Sequence, residues 1–309
     1  MNTNAINKIL VAIDGSDRSI RTVKYIAGMP GLINAEVHLF HVFSHIPESH
    51  YDMAREPASI KISGQLIAWE KYQRQKIEKH MEKCRKILLA NDFDPQRVKT
   101  VIHNRRQGVA RDLIAEARSG YDAVFIRRRG MTKLAGIVMG SVAFKLLDGI
   151  HMAPLVFAGR KPENRRILIG MDLSENAMRA VEFVGRMTQG TGCKVGLASV
   201  VRRDSFSEGD EQAGVNADLK EFEASMADVF ERARMKLGAY GLDRGSIDAV
   251  IIRQAQSRAG ALVELAETDE YNTIVIGRKG VSGLDDFFIG RVSRKILYAG
   301  RKHHVWIVN

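Results

Sequence analysis

The feature that most constrains this chain is a repeat. Two strand–loop–helix stretches, Arg127 to Ser141 and Gly277 to Ser293, share one pattern of glycines, with Gly130 answering Gly280 and Gly140 answering Gly290. Each follows a short apolar run, Asp122 to Ile126 and Thr273 to Ile276, and each leads into an amphipathic segment. The flanks repeat as well. Ile9 to Asp14 is answered by Ile167 to Asp172, Ala35 to Val42 by Lys194 to Val201, and Pro154 to Ala158 by Val305 to Val308. Two units of this length in one order rarely arise by chance, so the chain is read as a duplication.

Within each copy, short apolar runs of strand length alternate with segments of helical period. In the first half the helices are expected near Ser19 to Met29, Gly64 to Ala90, Val109 to Ala117 and Val142 to Leu147. In the second half a long helix is expected over Asp218 to Ala239, and a shorter one over Ala259 to Ala266. The resulting βαβαβαβαβ order argues an α/β fold of two tandem open parallel sheets flanked by helices. The halves are placed at 1–160 and 165–309, with the polar, proline-bearing Gly159 to Asn164 as linker. Phe43 to Lys61 and Arg202 to Gly214 are polar without clear period and read as surface loops. Trp69 and Tyr72 on the long helix read as core or helix–helix contacts rather than a base-stacking platform.

The formal charge of +11 is uneven: 25 basic against 15 acidic residues in 1–160, but 22 against 21 in 161–309. A basic half attracts phosphates, nucleic acid or acidic proteins. The excess is scattered apart from Arg127-Arg128-Arg129 and Arg105-Arg106, so it reads as solvated surface, and nucleic acid is not the expected partner. No run is long and apolar enough to span a bilayer, and the N-terminus lacks a signal-peptide pattern. Cys84 and Cys193 match no metal or redox spacing and read as small core residues of a reducing compartment. The chain is therefore expected to be cytoplasmic. His41 and His45, and the adjacent His303 and His304, read as surface or interface residues, not a metal site.

The glycine loops carry the chemistry. Glycine lets a backbone approach a ligand closely, and a helix N-terminus offers unpaired N–H groups and positive dipole. Strand, glycine loop and helix start together read as a phosphate cradle or as plain turn chemistry. Gly-2x-Gly-9x-Gly is neither a Walker A loop nor a dinucleotide fingerprint.

With Asp-x-Ser after the first strand, a long middle helix and this glycine pattern before the last helix and strand, each half resembles a universal stress protein domain. The resemblance implies a five-stranded parallel sheet related to other adenine-nucleotide-binding folds. It also implies dimerisation through the last strand, here as a homodimer or as an internal pairing of Pro154 to Ala158 with Val305 to Val308. Members of the family divide into those that bind ATP and those that do not. Carried over, the resemblance places Asp172 near the adenosine, Val200 against the base, and Ile276 and Gly277 beside ribose and phosphates. Gly280, Gly290 and Ser293 would line the phosphate loop, joined by Arg291. The matching first-half positions are Asp14, Val42, Ile126, Gly130, Gly140, Ser141 and Val142.

Both copies depart from the pattern. Arg127 stands where the first glycine belongs, and Ala143 stands where the second half has Ser293. Arg127 either fills the pocket or holds a phosphate through its planar fork. Arg291 replaces the hydroxyl residue that normally follows the third glycine; it either contacts phosphate or pairs with Asp285 or Asp286. Those two acids either cap a short helix or call for a cation such as Mg²⁺ beside a triphosphate. Two functions follow. One is a stress-response protein that binds ATP through its second half and changes conformation or assembly, with at most slow hydrolysis. The other is a scaffold of the same family that binds no nucleotide. No grouping argues for covalent catalysis.

Overall fold

A computed structural model of the chain describes residues 5–45, 57–128, 139–160, 164–203, 212–280 and 290–309, the side chains of 57–64 and 212–218 excepted. The first half runs β1 (Lys8–Ala12), α1 (Asp17–Ala27), β2 (Glu36–Phe43), α2 (Pro57–Leu89), β3 (Val98–Asn104), α3 (Val109–Ala117), β4 (Ala123–Ile126), α4 (Ser141–Gly149) and β5 (Leu155–Phe157). The second runs β6 (Arg166–Met171), α5 (Glu175–Thr188), β7 (Lys194–Arg202), α6 (Gln212–Ala239), β8 (Ile247–Ala255), α7 (Arg258–Thr268), β9 (Thr273–Gly277), α8 (Arg291–Ala299) and β10 (His304–Val308). Two expected loops were drawn too long. Phe43 closes β2 and Arg202 closes β7, while α2 begins at Pro57 and α6 at Gln212. Proline suits a helix start because its missing N–H would be unpaired there.

The strands form one sheet of ten in the order β3-β2-β1-β4-β5-β10-β9-β6-β7-β8. Pairing is parallel within each half, and the halves join where β5 meets β10 antiparallel, Trp306 opposite Val156. The expected pairing of last strands is therefore internal, and it merges the two sheets into one. Both last strands would otherwise be sheet edges with unpaired backbone groups. Since β5 and β10 run opposite ways, the C-terminal edges of the two halves lie at opposite ends of the sheet.

Strands buried on both faces need apolar residues at every position. In β1, Ile9 and Val11 face one layer and Leu10 the other. One face is covered by α1, α2, α5 and α6, and the other by α3, α4, α7 and α8. Each core cluster crosses the junction. Trp306, fully buried on β10, donates its indole N–H to the Tyr25 hydroxyl at 2.9 Å, and Phe183 meets its ring edge-on at 5.5 Å. The Tyr25 ring also stacks on His304 at 3.8 Å. Further out, Arg186 of α5 pairs with Asp122 at 2.6 Å and donates to the Ala5 carbonyl. Cys84 and Cys193 are buried and unpaired with each other; burial pushes the Cys84 thiol up to about 11.

Candidate functional site

In each half the chain leaves the first strand toward one side of the sheet and returns on the other, to β4 beside β1 and to β9 beside β6. Such switch points open a crevice at the C-terminal edge of the strands. The candidate residues gather there.

In the second half Asp172 follows β6 and bends the chain. Its Oδ1 accepts from the Ser174 N–H at 3.0 Å and from the Ser174 hydroxyl. Ser174 caps α5 by accepting from the Ala177 N–H at 3.3 Å. Across the crevice, a Cβ on Gly280 would lie 2.4 Å from Asp172 Oδ2, so the carboxylate and the glycine loop touch. Gly277 has a different reason to lack a side chain. Its Cβ would stand 2.9 Å from the Asn176 Cβ, so what it admits is the first turn of α5. Gly290 caps α8, and its own N–H donates to the Arg278 carbonyl at 2.9 Å. Among the described residues no side chain caps this helix, unlike α5 and α7, whose serines do. Among the described residues no serine or aspartate stands over the first-turn donors of α8. Arg291 opens the helix, exposed. Ser293 is buried and donates to the Gly277 and Arg278 carbonyls at 2.9 and 3.3 Å, tying α8 to the end of β9. Val200 and Ile276 lie in the core layer beneath. Asp285 and Asp286 fall outside the described residues.

The first half repeats the frame with other contents. Asp14 Oδ1 accepts from the Ser16 N–H at 3.0 Å and its hydroxyl at 2.6 Å, while Oδ2 is buried without a partner among the described residues. Gly140 caps α4, again with no side-chain cap among the described residues, and Ser141 and Val142 start that helix. Ala143 is buried at the place of Ser293, and Val42 and Ile126 are buried beneath. Gly130 lies outside the described residues. Arg127 reaches the Ala158 carbonyl at 3.5 Å, and its Nε has no partner among the described residues. Burial, then repulsion from Arg21, Arg18 and Arg160, pushes its pKa down to about 10, with Asp14 acting the other way. Arg127 therefore feels three other guanidiniums and one carboxylate where the second half keeps glycine.

Two features escaped the sequence. Ser19 and His80 lie 2.8 Å apart, but the Ser19 hydroxyl also donates to the Ser16 carbonyl at 2.7 Å. That leaves His80 Nε2–H as the donor, an arrangement that locks α1 to α2 rather than activating a nucleophile. The second is Arg128, buried beside Arg127, which donates to the Gly300 and His303 carbonyls at 2.9 and 2.7 Å. Its counterpart Arg278 donates to the Ile150 carbonyl at 2.8 Å and to that of Leu147. Reading the repeat residue by residue would have found this pair. Among the described residues no three His, Cys, Asp or Glu side chains gather as a metal site, and no helix is long and apolar enough to cross a membrane.

A profile of the universal stress protein family matches residues 5–156 and, again, residues 163–308. The chain belongs to that family. It is a tandem universal stress protein, and solved structures share its architecture over both halves. A universal stress protein from Archaeoglobus fulgidus is 18% identical, with a TM-score of 0.65, over 100% of this chain and 99% of that one. A protein of unknown function from Pseudomonas aeruginosa is 16% identical, with a TM-score of 0.57, over 99% of this chain and 93% of its own. At such identities the likeness speaks for the fold. A search of curated proteins found no match.

Proposed function

We propose that this tandem universal stress protein binds one adenine nucleotide, ATP with Mg²⁺, through its second half, and acts by ligand-dependent conformation or assembly. The observation that carries the reading is the start of α8. A glycine-capped helix with no side-chain cap among the described residues lies across the crevice from Asp172, with Gly280 between them. The N–H groups of Arg291, Val292 and Ser293, without a partner among the described residues, and the positive end of the dipole favour a polyphosphate there. Asp172 would accept from the ribose hydroxyls once it turns from Ser174, and Arg291 adds a guanidinium at the same helix end. Mg²⁺ would supply charge neutralisation between the phosphates and Asp172. In the first half the same crevice holds Arg127, so we assign it no nucleotide.

Calorimetry of ATP with Mg²⁺ tests the reading on wild type and Gly280→Val. A valine at 280 drives its Cβ into the Asp172 carboxylate, a flexible group, so the fold should survive while binding is lost. Absence of binding by the wild type at millimolar ATP would favour the scaffold reading instead.

A further inference from the structure

The outer face of α2 carries a feature the nucleotide reading does not use. Trp69 and Tyr72 were expected to be packed. They are 52% and 62% exposed. Continuing from them at spacings of three and four come Lys76, Lys79, Lys83 and Lys86, all exposed. Residues so spaced share one face of a helix. The stripe runs about 25 Å at 1.5 Å per residue. Glu70 turns inward to His45 and Glu78 pairs with Arg74, which leaves Glu82, three residues after Lys79 and four before Lys86, as the one acid bordering four lysines among the described residues. None of the four lysines is in an ion pair among the described residues.

The repeat supplies an internal comparison. Both long helices end at a left-handed residue, Asp92 and Gly241, with Leu88 and Leu237 buried four residues before. In that register Tyr72 is answered by Glu221, Lys76 by Ser225, Lys79 by Asp228, Lys83 by Arg232 and Lys86 by Met235. The second helix keeps the packing face and lacks both the rings and the row of cations. The stripe is therefore not demanded by the fold.

We propose that the outer face of α2 binds single-stranded nucleic acid. Lysines at this spacing track successive phosphates, and exposed aromatic rings at one end offer stacking faces to unpaired bases. A duplex presents no open base face to Trp69 and Tyr72. An interfacial membrane helix buries an apolar face along its whole length, whereas here the exposed rings stop at Tyr72 and charged side chains, mostly lysines, follow. Here charge aligns with exposed rings on one helix face.

The chain holds two tryptophans, and Trp306 is fully buried, so Trp69 reports directly. The full chain is titrated with a labelled oligouridylate of about twenty nucleotides, its duplex with oligoadenylate, and phosphatidylglycerol vesicles. Anisotropy and tryptophan emission are read together. We expect saturable single-strand binding with quenching of Trp69 and weaker binding of the duplex. Trp69→Ala or Tyr72→Ala should weaken it about tenfold. Lys79→Ala with Lys83→Ala should lower the log–log salt slope by about 1.4. Trp306 emission shows that each variant is folded. Three results would each overturn the proposal: no binding, equal binding of duplex with no effect of the ring variants, or a blue-shifted Trp69 on vesicles without single-strand binding.

Discussion

Arg128 and Arg278 hold the two halves together by the same contact made twice. Each follows the strand beside its half's last strand, is more than nine-tenths buried, and donates across the junction to carbonyls at or just after the end of the other half's last helix. Helix C-termini present unpaired carbonyls and negative dipole, so a guanidinium is matched there without a carboxylate. Burial still costs each arginine: the Arg128 pKa falls to about 9 and that of Arg278 to about 10. Replacing either by methionine keeps the bulk but strands two buried carbonyls. We expect a loss on the order of 3 kcal/mol for each, measured by urea unfolding, whereas a loss below about 0.5 kcal/mol, the scale of surface changes, would deny the contact its role.

The Trp306–Tyr25 hydrogen bond joins the last strand of the chain to its first helix. Tyr25→Phe removes the acceptor and leaves a buried indole N–H unpaired. The cost should be about 1–3 kcal/mol, with a shifted Trp306 emission as the local signature. Unchanged stability and emission would mean the indole finds another acceptor.

Arg127 makes the first-half crevice a place of stored repulsion. Arg127→Met removes the burial cost of Arg127 and its repulsion from Arg21, Arg18 and Arg160, and should raise stability by on the order of 1–2 kcal/mol at low ionic strength. The gain should shrink as salt screens Arg18, Arg21 and Arg160, because the Debye length is about 10 Å at 0.1 M. A gain independent of salt, or a loss, would show that Arg127 is held by something other than charge.

His45 at the end of β2 meets Glu70 of α2, and that hydrogen bond, joined by Asn104, holds the imidazole pKa above its usual value of 6.5. A raised histidine pKa means the contact stabilises the fold fully below the unfolded value and is lost as pH rises through the folded one. Melting temperatures of wild type and Glu70→Gln should therefore differ most below about pH 6 and converge above the raised pKa. NMR titration of His45 below 6.5 would contradict this.

Much of the frame was legible because strands and helices write their period directly. The helix Val109–Ala117 falls where its apolar spacing put it, and the last strands pair as edges require. The loops before α2 and α6 were overdrawn because first turns are polar by nature and hide their helical period. Trp69 and Tyr72 were misplaced for the opposite reason. Large rings are usually buried, and only the structure separates the inward face of α2, marked by Met81 and Cys84, from the outward one. At the site, a glycine's meaning was not legible at all. Gly277 and Gly280 look alike in sequence, yet one makes room for a helix and the other faces a carboxylate. Arg128 read as one of three charges because its partners are backbone carbonyls more than 170 residues away, which no side-chain pattern announces.

The central claim is that duplication left one working nucleotide crevice and one closed by Arg127. Native mass spectrometry in ATP with Mg²⁺ counts the ligands on each chain. The account predicts one nucleotide on the wild type, one on Gly130→Val and none on Gly280→Val. Two nucleotides on the wild type, or one that survives Gly280→Val and is lost in Gly130→Val, would contradict it.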